Sequence, residues 1–212
     1  MEFLPEALEQ YVEQHTTGET DVLQQLNRET NAKVMMPRMI SGHLQGRFLA
    51  MMSKMIKPKA ILEIGTYTGY SGICLAEGLQ EGGTIHTIDI NEELEDLVRS
   101  YFDKAGISHK VQYHIGNALE IIPTLEGPFD LVFIDADKVH YANYFDQVID
   151  KVTIGGYILT DNVLWSGKVL DTKQDKDTAA IVAFNKKVMD NPRVETVMVP
   201  IRDGILIARK TV

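Results

Sequence analysis

Residues 60–71 read AILEIGTYTGYS. Ala60, Ile61, Leu62 and Ile64 around Glu63 make a short strand, which Gly65 ends, and a helical pattern runs from Tyr70 to Leu79. A strand, a glycine-bearing turn and a helix form the unit from which parallel α/β sheets are built. Free amides at the helix start and a close backbone approach suit a carboxylate or a phosphate. The glycines, Gly65 and Gly69, are spaced G-x-x-x-G, so the dinucleotide fingerprint G-x-G-x-x-G is absent.

The same alternation continues on both sides. Thr84 to Ile88 reads as a second strand, Val111 to Ile115 as a third, Leu131 to Ile134 as a fourth, and Tyr157 to Thr160 as a fifth after a Gly155-Gly156 turn. Helical patterns intervene. One opens at Asn91, with Leu94, Leu97, Val98, Tyr101, Phe102 and Ala105 at helical spacing, and closes at Gly106; another runs from Tyr141 to Val152. This order predicts an α/β fold with right-handed crossovers and a parallel sheet covered on both faces. Val194 to Ile201 and Ile205 to Lys210, joined by Arg202-Asp203-Gly204, read instead as an antiparallel hairpin. Residues 1–58 read as a helical cap, with helices near 5–15, 19–34 and 43–56 and the loop MMPRMIS (35–41) before the last. With no repeat, linker or low-complexity tract, 1–212 is expected to be a single domain.

The composition excludes several classes. Hydrophobic residues make up 44%, enough for a core, and no apolar run reaches the roughly 20 residues of a membrane span. The first residues, MEFLPEALEQ, are acidic where a secretion signal would be basic. The single cysteine, Cys74, excludes an internal disulfide and sits in an apolar run as a core residue; this fits a reducing cytoplasm. A net charge of −9 argues against nucleic acid as the main partner.

In an open parallel sheet, ligands bind beyond the carboxyl ends of the strands. Asp89 follows the second strand, where an acid commonly bonds ribose hydroxyls. The fourth strand ends in Asp135, Asp137 and Lys138, and the fifth in Asp161 and Asn162. Two carboxylates held close repel one another unless positive charge sits beside them. Lysine, a metal ion or a cationic ligand would serve. Asp135, Asp161 and Asn162 offer hard oxygen ligands without cysteine or histidine, a set that suits Mg²⁺ or Mn²⁺, with Ca²⁺ as a further hard cation, rather than zinc.

Four ordered stretches, LEIGTYTGYS (62–71), TIDIN (87–91), FIDADKVHYANYF (133–145) and LTDNVLWSGKV (159–169), together resemble the metal-dependent catechol and caffeoyl-CoA type O-methyltransferases, a class I S-adenosylmethionine (SAM) family. The resemblance spans about Met39 to Val212. It implies a Rossmann-like, mostly parallel seven-stranded sheet of order 3-2-1-4-5-7-6 with the last strand antiparallel. It assigns Ser41, Glu63, Gly65, Thr66, Ser71, Asp89, Ala118, Asp135 and Asp137 to SAM, with Glu63 to Ser71 near its methionine end, Asp89 on the ribose, Ala118 by the adenine and Asp137 near the sulfonium. It assigns Asp135, Asp161 and Asn162 to the metal, Lys138 to catalysis, and Asp203 to the acceptor. Trp165 is a candidate wall for an aromatic acceptor, and Met36 and Arg38, with Met35, a candidate lid. Between 170 and 190 the chain lacks the tyrosine pair of plant members and carries DTKQDKD at 171–177. The expected reaction is methyl transfer from SAM to a hydroxyl of a catechol-type small molecule, carried out by a cytoplasmic homodimer. The alternative is a tRNA hydroxyuridine O-methyltransferase, against which the charge counts: Lys168, Lys173 and Lys176 are interleaved with aspartates.

Overall fold

The computed structural model describes residues 5–212. Three helices lead in: α1 (Glu6–Gln14), α2 (Asp21–Lys33) and α3 (Gly42–Ile56). Next come β1 (Ala60–Ile64), α4 (Tyr70–Ala76), β2 (Thr84–Asp89), α5 (Glu95–Lys104), β3 (Val111–Ile115), α6 (Ala118–Ile121) and β4 (Phe129–Ile134). They are followed by α7 (Tyr141–Val148), β5 (Val152–Thr160), α8 (Lys176–Met189), β6 (Val194–Val199) and β7 (Ile205–Lys210). The strands form one sheet in the order β3-β2-β1-β4-β5-β7-β6. The first five run parallel, and β7 is antiparallel to both β5 and β6. This is the Rossmann-like order that the resemblance implied.

Several boundaries differ from the sequence reading. Helix α7 ends at Val148, not Val152, β4 starts at Phe129, not Leu131, and β6 ends at Val199, not Ile201. Two further differences have a clear physical cause. The fifth strand starts at Val152, not Tyr157, and runs through Gly155-Gly156. Its pairing with β4 shifts register between Phe129 and Leu131, so the glycines form a strand irregularity rather than a turn. A β-carbon on Gly156 would come within 2.6 Å of Thr153 Oγ1. Helix α4 stops at Ala76, short of Leu79. There the chain crosses α3 at Gly78, where a β-carbon would lie 2.1 Å from the Ser53 carbonyl carbon.

Strand alternation divides the core between the two sheet faces. Leu62, Ile64, Val132 and Ile134 pack with Tyr141, Phe145 and Phe184 from α7 and α8. Ile61, Leu131, Phe133 and Leu159 pack with Leu23, Leu26, Leu49, Val98 and Phe102 from α2, α3 and α5. Each such side chain contributes about 1.5–3 kcal/mol by leaving water, so both helical layers are held firmly on the sheet. Two buried tyrosines fasten α2 and its approach: Tyr70 Oη donates to Glu19 and Tyr101 Oη to Glu29, both at 2.6 Å.

β1 and β4 are neighbours in the sheet but far apart in sequence, which makes the gap beyond their ends the point where strand order reverses. Gly65 stands there at φ 102°, and a β-carbon on it would lie 1.9 Å from the Asp135 carbonyl oxygen. Only glycine fits this approach, and it locks the end of β1 against the end of β4.

Candidate active site

Two groups of side chains flank that gap. On the β1–β2 side, Glu63 alternates with Leu62 and Ile64 and so faces α4, fully buried. Its Oε2 accepts from Thr87 Oγ1 at 2.5 Å, and that hydroxyl shares a second hydrogen bond with Thr66 Oγ1. Its Oε1 has no partner. Burial pushes the carboxyl up to about 7; the Ser71 and Thr87 hydroxyls oppose the rise, and the charges of Asp135 and Asp89 add to it. Asp89, at the end of β2, accepts from Tyr67 N at 2.6 Å and from Asn91 N at 2.9 Å, so its carboxylate is fixed across the glycine turn. Ala118 opens α6 behind the Asn117 cap. Ser41 is buried just before α3.

On the β4–β5 side, Asp135 N donates to Ile64 O and Asp161 N to Ile134 O, so the two acids step across adjacent strand ends. Asp161 is buried. Its Oδ2 accepts from Gln45 Nε2 at 2.6 Å and its Oδ1 from Asn162 N at 2.7 Å. Burial first, and then the charge of Asp135, holds its carboxyl well above the ordinary carboxylate range despite those bonds. Asn162 follows in a left-handed conformation, φ 59°. Lys138 Nζ lies 2.9 Å from Asp135 Oδ1, and over the rings of Tyr141 and Trp165 at 5.0 and 5.9 Å from their centroids. Trp165 Nε1 is buried without a partner. Asp135 and Asp161 therefore lie close enough for one charge to act on the other, with Asn162 next to Asp161 in the chain. Among the described residues no group of three or more His, Cys, Asp or Glu side chains is placed to hold a metal, and this set has only two carboxylates.

Other candidates lie further out. Asp137 is exposed; its Oδ1 caps the turn at Val139 N, and His140 lies 3.7 Å from Oδ2. Asp203 Oδ1 accepts from Ser166 N, so it braces the segment that carries Trp165. Met36 and Arg38 are exposed on the loop that leads into α3.

Sequence reading missed three residues. Gln45 reads as an ordinary helix position in HLQG but reaches Asp161. Arg202 reads as part of a turn, yet its Nη1 donates to Ile40 O at 2.8 Å and to Ser41 O. Tyr67 Oη donates to the carbonyls of Met35 and Met36. All three act across more than 20 positions of sequence, where no local pattern signals them.

Comparison with known proteins agrees with this architecture. Residues 13–211 match the family model described as O-methyltransferase. The caffeoyl-CoA O-methyltransferase of Petroselinum crispum is 36% identical over 220 aligned positions, covering 97% of this chain and 91% of that protein. That of Mesembryanthemum crystallinum is 38% identical over 196 positions, covering 86% and 77%. Among solved structures, an SAH-bound methyltransferase of Podospora anserina superposes with a TM-score of 0.90 at 29% identity, with full coverage of both chains. An O-methyltransferase of Bacillus cereus in complex with SAH gives 0.88 at 30%, covering 96% and 97%. The likeness carried by the four motifs thus holds over nearly the whole chain, in sequence and in fold, and the chain belongs to the O-methyltransferase family.

Proposed function

We propose that this enzyme moves a methyl group from SAM to one hydroxyl of a catechol-type small molecule, with a divalent cation held by Asp135, Asp161 and Asn162. The observation that carries the reading is the buried Asp161 beside Asp135: two carboxylates at adjacent strand ends, with Lys138 paired to Asp135. Such a pair is stable as two anions only if positive charge joins it. Two carboxylates and an amide oxygen form a donor set for a hard cation. The residues present fit the group.

SAM fits the other side. The unpartnered, buried Oε1 of Glu63 is suited to a cationic group such as an α-ammonium. Asp89 is fixed by two backbone amides and keeps lone pairs for ribose hydroxyls. The SAH bound in the Podospora anserina and Bacillus cereus structures supports the same donor here. The names of the caffeoyl-CoA relatives support a small phenolic acceptor.

The chain's own residues then do three things. Glu63, Gly65 and Asp89 hold the donor at the end of β1, across the narrow gap from Asp135. Trp165 offers a ring face to the acceptor beside Lys138. Lys138 meets the acceptor hydroxyl and takes its proton, or stabilises the anion left behind. A bound divalent cation supplies charge that makes a phenol, ordinarily of pKa near 10, more acidic. Most of the rate gain comes from fixing both reactants in attack geometry.

Methyl transfer from labelled SAM to catechols, and to bulk tRNA that carries hydroxyuridine but not its methyl group, each with Mg²⁺ and with EDTA, tests the reading. The expected result is catechol methylation that is abolished by EDTA and restored by Mg²⁺ or Mn²⁺. Full activity in EDTA removes the metal site, and labelling of tRNA alone replaces the acceptor.

A further inference from the structure

The loop from Met35 to Ile40 carries three exposed methionines, Met35, Met36 and Met39. Its backbone is fastened at both ends by side chains from elsewhere. Tyr67, from the glycine turn, donates to the carbonyls of Met35 and Met36, and Arg202, from the β6–β7 turn, donates to those of Ile40 and Ser41. The same Arg202 Nη1 lies 3.5 Å from Gln45 Oε1. Gln45 in turn donates to Asp161 Oδ2 at 2.6 Å.

Gln45 is 1% exposed, so its amide must find partners inside the protein. It finds them in two separate elements, a carboxylate and a guanidinium. Chemistry fixes which way the amide points: a flipped amide would set oxygen against carboxylate and N–H against guanidinium, repulsive at both ends. With Asn162 N on Oδ1 and Gln45 Nε2 on Oδ2, the plane of the Asp161 carboxylate is fixed from two sides. Nη1 has two protons for three acceptors, Ile40 O, Ser41 O and Gln45 Oε1, so a change at one acceptor alters the hold on the others. Arg202 does this from a left-handed backbone, φ 50°, which a non-glycine residue rarely adopts.

We propose that Gln45 and Arg202 are positioning residues that couple the loop leading into α3 to the Asp161 carboxylate: the guanidinium fastens the loop backbone while the amide it faces orients the carboxylate. The proposal rests on the reading of Asp161 as a cation ligand.

The test is Mn²⁺ binding, followed by electron paramagnetic resonance and calorimetry, together with tryptic cleavage after Arg38 in the loop. Gln45→Leu is expected to weaken Mn²⁺ about 10-fold or more, the usual effect of losing a group that orients a ligand. Arg202→Met, which touches no proposed ligand, is expected to weaken Mn²⁺ by about 2- to 10-fold and to speed cleavage after Arg38. Arg202→Lys, which still donates, should recover part of both. Saturating Mn²⁺ should slow cleavage in the wild type but not in Arg202→Met. The double variant should lose less than the product of the single losses. Ser53→Ala removes a buried hydrogen bond elsewhere on α3, so it should lower the melting temperature and leave Mn²⁺ affinity unchanged.

Unchanged Mn²⁺ affinity in Arg202→Met, or strictly multiplicative losses, overturns the coupling while leaving the cation site in place. Arg202→Met decides the matter even where Gln45→Leu fails to fold. Absence of Mn²⁺ binding by the wild type removes the cation site and the coupling together.

Discussion

Glu63 on β1 and Asp161 at the end of β5 are both buried carboxylates raised above their ordinary range, yet they are held in opposite ways. Glu63 sits among hydroxyls, and one of its oxygens is left without a partner. Asp161 has an N–H donor on each oxygen and a second carboxylate next to it. Hydroxyls can rotate and exchange roles, so the Glu63 side adapts to either protonation state. Amide donors cannot, so the Asp161 side is set for the anion, and the single Lys138 beside it leaves its carboxyl raised. The first arrangement suits an organic cation that arrives with each turnover. The second suits an ion that stays.

Removing Asp161 is the largest expected break in this contrast. Asp161→Ala should lower methyl transfer by at least about 100-fold, the upper end of what disturbing a ligand's supports alone costs. SAM affinity, measured by calorimetry, should stay within about 3-fold, because the proposed hold on the donor lies across the gap, at Glu63 and Asp89. If affinity falls as far as rate, the two sides are not separate and Asp161 serves the donor.

Lys138 sharpens the acceptor side next. Lys138→Ala should lower kcat by about 100-fold and raise KM far less, since a proton in transit matters chiefly in the transition state. Lys138→Arg should not restore the rate, because a guanidinium stays protonated. Recovery with arginine would instead assign the residue to charge stabilisation. Near-normal turnover in both variants would remove it from the mechanism.

The two sides also differ in how much of them the sequence revealed. Strand and helix periodicity was readable because local patterning and core burial agree at nearly every position from Ala60 to Ile64 and from Leu131 to Ile134. Gly155-Gly156 misled because a glycine pair signals a turn and a strand irregularity equally well. The acids at the strand ends were legible because the topology fixes where strands end. Gln45 and Arg202 were not: their roles depend on long side chains meeting across 116 and 161 positions of sequence. Asp203 and Asp137 were visible as acids, but their bonds to Ser166 N and Val139 N depend on backbone direction that composition does not carry.

Glu63 gives the contrast a pH signature. A carboxyl at about 7 in the fold, against 4.5 ordinarily, binds its proton more tightly when folded. The stability of the protonated form is present in full below about 4.5 and is lost as pH rises through about 7, roughly 3 kcal/mol in all. Urea unfolding of the free enzyme should show that loss together with a similar one from Asp161, which burial also raises, and Glu63→Gln should remove the Glu63 share and leave a shallower slope. Saturating SAM should likewise make the slope shallower, because a cation beside Oε1 favours the ionised form. A wild-type profile already flat from pH 5 to 8 would mean that Glu63 is ionised throughout and that its free oxygen is not the feature that separates the two sides.

Asp89 is expected to give the smallest effect, because its carboxylate has two duties. It closes the glycine turn by accepting from Tyr67 N and Asn91 N, and it is assigned to the ribose of the donor. Asp89→Ala should weaken SAM by about 1–3 kcal/mol, the range for leaving a hydrogen-bonding group unpaired. It should also lower the melting temperature of the free enzyme, since both backbone amides lose their acceptor. Asp89→Asn separates the duties. Its one carbonyl oxygen can still accept from one backbone amide and its NH₂ can donate to a ribose oxygen, so stability should recover in part while SAM binding recovers less, having lost a charge-assisted acceptor. If Asp89→Ala lowers only the melting temperature and leaves the dissociation constant of SAM unchanged, Asp89 is a turn residue. The hold on the donor would then lie with Glu63 and the backbone of the glycine turn.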